Sequence, residues 1–206
     1  MHRRTALSVS AVLLAAAPLL TACSGQARPG TAAVVGGERI QTAALQAQVK
    51  DVRTAQNRSP QAAQLLENSA GLERSKLNSM IQSLVLQKAA ENAGLSVTTK
   101  EIEDARGSDV RRLGGEQQFR AMVLQQASIA PSQIDEAVRD RLIVAKLGAK
   151  YGQQQMLAPI AAAAKELGVK VNPRYGDWDP AKIQLTGSKT PWISQQTLAQ
   201  QAPEGA

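Results

Sequence analysis

The residue of this chain best suited to covalent chemistry is Cys23. It is the only cysteine, and it follows an apolar segment at residues 6–20 that is rich in leucine, valine and alanine. A basic start, His2-Arg3-Arg4, precedes that segment, and the next charged residue is Arg28. This order is typical of the signal peptide of an exported protein. The apolar segment is short for a membrane-spanning helix, which needs about 20 apolar residues.

The residues around the cysteine, Leu20-Thr21-Ala22-Cys23, resemble the bacterial lipobox, an aliphatic residue and two small residues followed by cysteine. The resemblance implies that the Cys23 thiol receives a diacylglyceryl group and that a peptidase cleaves between Ala22 and Cys23. We therefore expect a lipoprotein signal peptide at residues 1–22 and a lipidated tether at residues 23–32. Ordinary signal cleavage with an incidental thiol and an uncleaved anchor are the alternatives. Each of the three places the domain outside the cytoplasm, and the lipobox predicts that it is lipid-anchored to the bacterial membrane.

Residue types that support catalysis or metal binding are scarce in the rest of the chain. The only histidine is His2, in the predicted signal peptide, so the mature chain cannot assemble a Ser-His-Asp or Cys-His site. The acidic cluster at residues 101–104 is interpreted as a helix start, where carboxylates interact favourably with the helix dipole; a paired-carboxylate active site is the alternative. The glycine pairs at 36–37 and 114–115 lack the lysine and hydroxyl residue of a phosphate-binding loop. We therefore predict no catalytic residue, no metal site and no cofactor.

The composition favours a helical fold that is stabilised by packing. Hydrophobic residues make up 43% of the chain, but aromatic residues make up only 2%, whereas strands favour aromatic and β-branched residues. The formal net charge is +7, or about +5 (7 minus 2) once Arg3 and Arg4 of the predicted signal peptide are removed, and this positive charge would help the protein lie near anionic lipids. The basic residues are scattered and not interleaved with aromatic residues, so the pattern argues against nucleic-acid binding. A chain with one cysteine cannot form an internal disulfide.

Hydrophobic periodicity predicts a series of helices. The central one runs to Ala93 and carries apolar residues at positions 77, 80, 81, 84, 85 and 89. Thr98 and the glutamate three residues later form a capping box that starts another helix, which we expect to break near Gly107. The most regular segment is 132–151, with its apolar stripe at Ile134, Val138, Leu142, Ala145 and Ala149, widened by Ile143 and Leu147. Two acidic residues on that segment, Glu136 and Asp140, are four positions apart and should repel each other.

Short strands are predicted near both ends of the helical region. Val34-Val35, the Gly36-Gly37 turn and Ile40 form a hairpin pattern. Residues 169–175 begin as a strand before Pro173 prevents further ladder hydrogen bonds. Because two short strands need a further partner, we expect the late strand to pair with Val34-Val35. The remaining residues, 177–206, are predicted to be an extended or disordered tail with local docking.

This order of segments resembles the N-terminal chaperone domain of the SurA, PrsA and PpiD family of extracytoplasmic folding factors. The residues that carry the resemblance lie at 35–40, 84–90, 93–98, 130–134, 142–147 and 171–176. The resemblance implies a mainly α domain at residues 33–176, with a small β element in which a strand near 33–40 pairs with a late strand near 169–175. Family members often carry a parvulin-type prolyl isomerase domain, whose site contains histidine, cysteine, aspartate and phenylalanine. Because the predicted mature chain has no histidine and no stretch of domain length is left over, we predict no isomerase activity.

The resemblance further implies that the protein holds unfolded or partly folded exported polypeptides without ATP. Adaptable apolar residues could line the surface that contacts such clients, and the candidates are Met80, Phe119, Met122 and Met156. The alternative for each candidate is an ordinary role in the core. A second hypothesis is a structural or adaptor lipoprotein that binds one specific folded partner in the cell envelope. The sequence does not predict an oligomeric state.

Overall fold

The computed structural model describes residues 30–187, which form a helical body with two small β elements. The strands are β1 (Thr31–Val35), β2 (Glu38–Gln41), β3 (Lys170–Val171), β4 (Asp177–Asp179) and β5 (Gln184–Thr186). The helices are α1 (Thr42–Asn57), α2 (Ala62–Glu67), α3 (Leu72–Asn92), α4 (Thr99–Arg112), α5 (Glu116–Ala127), α6 (Ile134–Tyr151) and α7 (Leu157–Leu167). The mainly α fold class predicted from the sequence is confirmed.

Helix α3 is the central element, and it contacts α1, α6, α7, β1 and β5. Leu77, Ile81 and Val85 lie on its inner side and have no exposed surface. Gly94 ends the helix in the left-handed conformation, with φ of 65°, and the amide of Leu95 donates to the carbonyl of Ala90. The predicted apolar stripe of this helix therefore forms the middle of the core.

The predicted pairing of an early and a late strand is also confirmed. The strand order is β2-β1-β3, and both pairs are antiparallel. Ala33 lies opposite Val171 in the second pair. The turn between β1 and β2 packs on the end of α7, because the amide of Gly36 donates to the carbonyl of Leu167 at 2.7 Å. Glycine is favoured at position 36, because its φ is +60° and because a Cβ atom there would lie 2.5 Å from a methyl carbon of Leu167, which would have to move.

The break predicted near Gly107 is wrong, because α4 continues without interruption to Arg112. Its capping box is present: the amide of Glu101 donates to the hydroxyl of Thr98, and the amide of Thr98 donates to the carboxylate of Glu101. One glycine inside a helix costs about 1 kcal/mol relative to alanine. That cost is offset here by packing of the helix on α5 and α6.

The apolar stripe predicted for α6 is partly wrong. Ile134 and Val138 are buried at the start of the helix, as predicted, and so are Ile143 and Leu147, which were predicted to widen the stripe. Ala145 and Ala149, in contrast, are exposed. The helix packs on both α3 and α4, so its buried side changes along its length. In the second half of the helix, the buried residues are isoleucine and leucine rather than alanine, because burying the larger side chain removes more apolar surface from water.

Residues 177–186, in the predicted tail, form the antiparallel β4–β5 hairpin, which the sequence did not predict. The hairpin lies against α3: the amide of Leu185 donates to the side-chain oxygen of Asn78 at 2.8 Å, and the side chain of Gln82 donates to the carbonyl of Ile183 at 2.7 Å. Residues 188–206 lie outside the described residues, as do the predicted signal peptide and Cys23. Within residues 30–187, no helix has the length and apolar character needed to span a membrane.

Candidate functional site

Helices α3 and α6 run parallel and are joined by polar contacts. The ammonium of Lys76 donates to the side-chain oxygen of Gln133 at 2.9 Å, and the hydroxyl of Ser83 donates to Asp140 Oδ1 at 3.1 Å. Each pair is separated by 57 residues in the sequence. Because the difference in residue number is the same for both pairs, the chain advances in the same direction along the two helices, and the helices are parallel.

A cleft of about 290 Å³ opens between these two contacts. Met80 of α3 and Ala137 of α6 also differ by 57 positions, so the two side chains lie at the same level, and the small side chain of Ala137 leaves the space open. The apolar part of the lining is Met80, Leu86, Ala127, Ile129 and Ala137, and the polar part includes Lys76, Ser79, Gln82, Gln133, Glu136 and Asp140. We call this space the α3–α6 cleft.

Lys76 is the most buried charged residue of the cleft, with 6% of its surface exposed. Burial lowers the pKa of its ammonium to about 8, and the nearby carboxylate of Glu136 opposes part of that effect. Gln133 is fixed in place, since its side-chain amide donates to the carbonyl of Gln48 and its oxygen also accepts from the amide of Ala130. Lys76 therefore presents a cation at a set position with little hydration.

Asp140 lies at the other end of the same cleft. Burial, with a smaller contribution from the nearby carboxylate of Glu136, raises the pKa of its carboxyl group to about 6, although the hydrogen bond from Ser83 and the charge of Arg139 act in the opposite direction. The repulsion between Glu136 and Asp140 predicted from their spacing is therefore confirmed in the folded chain. The cleft thus contains a positive and a negative group, each of which is poorly solvated.

A second, smaller pocket of about 130 Å³ adjoins the cleft and shares Ile129 and Ala137 with it. Its other apolar residues are Phe119, Val123, Ile134 and Val138. We call it the Phe119 pocket. At its edge Asp109 accepts hydrogen bonds from Arg112 and Arg141 at 2.9 and 2.6 Å; burial raises the pKa of this carboxyl group, but the two guanidinium groups outweigh burial and lower it.

A comparison with protein-family models identifies the family to which this fold belongs. The model of the SurA-like N-terminal domain matches residues 2–148, which is more than half of the chain. The chain belongs to the family of SurA-like N-terminal domains. The matched part includes the α3–α6 cleft and the Phe119 pocket, whereas α7, β3 and the β4–β5 hairpin follow it. Comparisons with curated proteins and with solved structures gave no match.

The four client-contact candidates of this SurA-like domain are divided by the fold. Met80 lines the α3–α6 cleft, and Phe119 is buried and lines the adjoining pocket. Met122 is half-buried on α5. Met156 is half-buried against the main core, and its sulfur would lie 3.4 Å from a Cβ atom at Gly148. Neither Met122 nor Met156 belongs to the lining of the cleft or of the pocket.

Sequence reasoning missed Lys76. A lysine in a helix is ordinarily a solvated residue, and the partner that allows its burial, Gln133, is far away in the sequence. The signal for Asp140 was present, because two carboxylates four positions apart on one helix repel each other. What the sequence did not reveal is that this pair faces Lys76 across the cleft.

The acidic cluster at residues 101–104 has structural partners. Glu101 caps α4 and accepts a 2.6 Å ion pair from Lys146, and hydrogen bonds from Lys146 and Thr98 lower the pKa of its carboxyl group to about 2. Asp104 pairs with Lys100 on the exposed side of the helix. Within residues 30–187, no group of three or more His, Cys, Asp or Glu side chains is placed to hold a metal ion.

Proposed function

We propose that this SurA-like protein is a lipid-anchored extracytoplasmic chaperone that holds unfolded exported polypeptides without ATP. The observation that carries the proposal is family membership together with an open cleft, in which apolar side chains lie beside poorly solvated polar groups. A holding chaperone needs apolar surface that accepts many sequences, and flexible methionine side chains suit that requirement. Met80 supplies one in the cleft.

The lipobox supplies the membrane attachment in this proposal. With Cys23 as the lipidated residue, seven residues (23–29) separate the lipid from the described part of the chain. A chain of that length spans at most about 25 Å when fully extended. The domain would therefore act close to the membrane surface, where exported polypeptides emerge.

The proposed action is binding alone. A parvulin site needs a histidine, and the only one in the chain is His2, which lies within the proposed signal peptide. We therefore propose that the mature protein does not catalyse prolyl isomerisation and that clients are retained by reversible contact.

The test is suppression of aggregation by a soluble chain from Ser24 to Ala206, which contains every described residue. A chemically unfolded reporter enzyme is diluted into buffer without nucleotide, and light scattering is followed. We expect scattering to fall with increasing chain concentration and to be largely suppressed at a few-fold molar excess. Unchanged scattering at that excess would contradict the proposal. Capture of one folded envelope protein without affinity for the unfolded reporter would instead indicate an adaptor.

A further inference from the structure

The two charged groups of the α3–α6 cleft have unused hydrogen-bonding capacity. The ammonium of Lys76 has three donors, and among the described residues it makes one hydrogen bond, to Gln133. Asp140 Oδ1 accepts from Ser83, and Oδ2 accepts no hydrogen bond from residues 30–187. Lys76 is more than nine-tenths buried, so bulk water replaces the missing partners poorly. The cleft therefore contains donors at one end and an acceptor at the other.

The spacing of these groups fits a short extended peptide. Lys76 and Ser83 are seven residues apart on α3, which corresponds to about 10 Å at 1.5 Å per residue. Their partners have the same separation: Gln133 immediately precedes α6, and Asp140 lies on α6. An extended chain rises about 3.3 Å per residue, so about three residues span the distance. A carbonyl at one end of such a segment could accept from Lys76, while an amide at the other end could donate to Asp140.

The charge pattern distinguishes this occupant from others. An anionic ligand would be attracted by Lys76 but repelled by Glu136 and Asp140. A cationic ligand would be attracted by the two carboxylates but repelled by Lys76. A neutral peptide backbone satisfies both ends, since each peptide unit offers one donor and one acceptor. The adjoining Phe119 pocket, with a volume of about 130 Å³ and an apolar lining, has room for one aliphatic side chain of the same segment.

We infer that the α3–α6 cleft binds an extended, uncharged segment of a client through its main chain, with Lys76 donating to a carbonyl and Asp140 accepting from an amide, while the Phe119 pocket takes one aliphatic side chain. Recognition of the main chain would explain how one site serves clients of many sequences. This inference rests on the proposed function and names the binding site for it.

The test compares two fluorescent peptides with the Ser24–Ala206 chain. One is an uncharged seven-residue peptide with leucine at its centre, and the other is the same peptide with that leucine N-methylated, which removes one main-chain donor and leaves the side chains unchanged. We expect N-methylation to weaken binding about 10-fold, the loss of one hydrogen bond to a charged group. Asp140→Ala should weaken binding of the parent peptide to a similar extent and remove most of the difference between the two peptides. Asp104→Ala, which changes an exposed carboxylate on α4, is the matched control and should bind like the unmodified chain.

Two further variants test the other end of the site and the space within it. Lys76→Met should weaken binding of both peptides about 10-fold by removing the donor to the carbonyl. Ala137→Leu should fill the cleft and abolish binding, whereas Ala145→Leu on the exposed side of the same helix should leave it unchanged.

The outcomes separate the site from the function. If the chain suppresses aggregation but Asp140→Ala, Lys76→Met and Ala137→Leu bind the peptides normally, the cleft is not the binding site and the inference is overturned. Equal affinity of the unmodified chain for the two peptides would also overturn it, and so would the absence of binding to either peptide. Failure of the aggregation assay itself would instead remove the proposed function.

Discussion

Lys76 and Asp140 are charged residues whose positions are unfavourable for the folded state near neutral pH. The pKa of Lys76 falls from 10.5 to about 8 through burial, and a change of that size corresponds to about 3 kcal/mol against the charged form. The pKa of Asp140 rises from 3.8 to about 6, so its anionic form is also disfavoured in the folded chain. Stability alone does not account for the two charges, whereas a ligand that hydrogen-bonds to both would.

Lys76→Met is therefore expected to raise the free energy of unfolding at pH 7 by about 1–3 kcal/mol, because a buried charge with one partner is replaced by an apolar side chain of similar size. The sign of the pH dependence follows from proton binding. Between about pH 8 and 10 the unfolded chain binds the lysine proton more tightly than the folded chain does, so the stability of the unmodified protein should rise with pH across that window. The variant should lack this lysine-dependent rise. Urea unfolding followed by circular dichroism at several pH values measures both effects.

The matched control is Lys50→Met, because Lys50 is an exposed lysine of α1. It is expected to change stability by less than about 0.5 kcal/mol. A loss of stability in Lys76→Met would contradict the claim that the buried ammonium is costly.

At the scale of elements, the sequence predicted those features whose cause is local. The capping box at Thr98 and Glu101, the left-handed Gly94 and the Gly36-Gly37 turn each depend on a few adjacent residues, and each is present. The errors occurred where tertiary contacts decide the outcome. The glycine at 107 does not break α4 because the packing of the helix on α5 and α6 offsets a cost of about 1 kcal/mol.

Two alanine substitutions at glycines should therefore have opposite effects. Gly107→Ala is expected to raise the free energy of unfolding by about 0.5–1 kcal/mol, because it removes backbone entropy from the unfolded chain and its Cβ atom would meet only the side chain of Arg111, at 3.4 Å. Gly94→Ala is expected to lower it by about 1 kcal/mol, because its positive φ is unfavourable for alanine although the space around it is open. Urea denaturation of the two variants beside the unmodified chain gives the comparison. Stabilisation by both substitutions, or by neither, would show that backbone conformation is not the deciding factor.

At the scale of the whole molecule, hydrogen bonds join the beginning of the described chain to a segment near its end. Asn172 follows β3, and its side chain donates to the carbonyl of Thr31, 141 residues earlier. Its amide donates to the carbonyl of Ala32 at 2.9 Å. The pairing of these strands was predicted from the short-strand pattern and is also implied by the resemblance to the family, but the β4–β5 hairpin was not predicted. Its strands have three residues each, too few for a periodic pattern, and contacts with Asn78 and Gln82 of α3 help to hold it in place. The α3–α6 cleft was missed for a similar reason, because it depends on the parallel arrangement of two helices far apart in the sequence.

The proposed membrane attachment of the whole molecule depends on a single residue, Cys23. Because Cys23 is the only cysteine, no other thiol can accept a diacylglyceryl group, and Cys23→Ser should abolish lipidation completely. Cells expressing the full chain and grown with radioactive palmitate should give a labelled protein in the membrane fraction, and the variant should give none. Ser24→Ala, a change at the next residue that leaves the thiol intact, is the matched control and should remain labelled. A labelled Cys23→Ser protein would refute the lipobox assignment. An unlabelled wild-type chain would indicate an ordinary signal peptide if its mass shows cleavage, and an uncleaved anchor if its mass is that of the full sequence, so the measurement separates all three readings of the N-terminus.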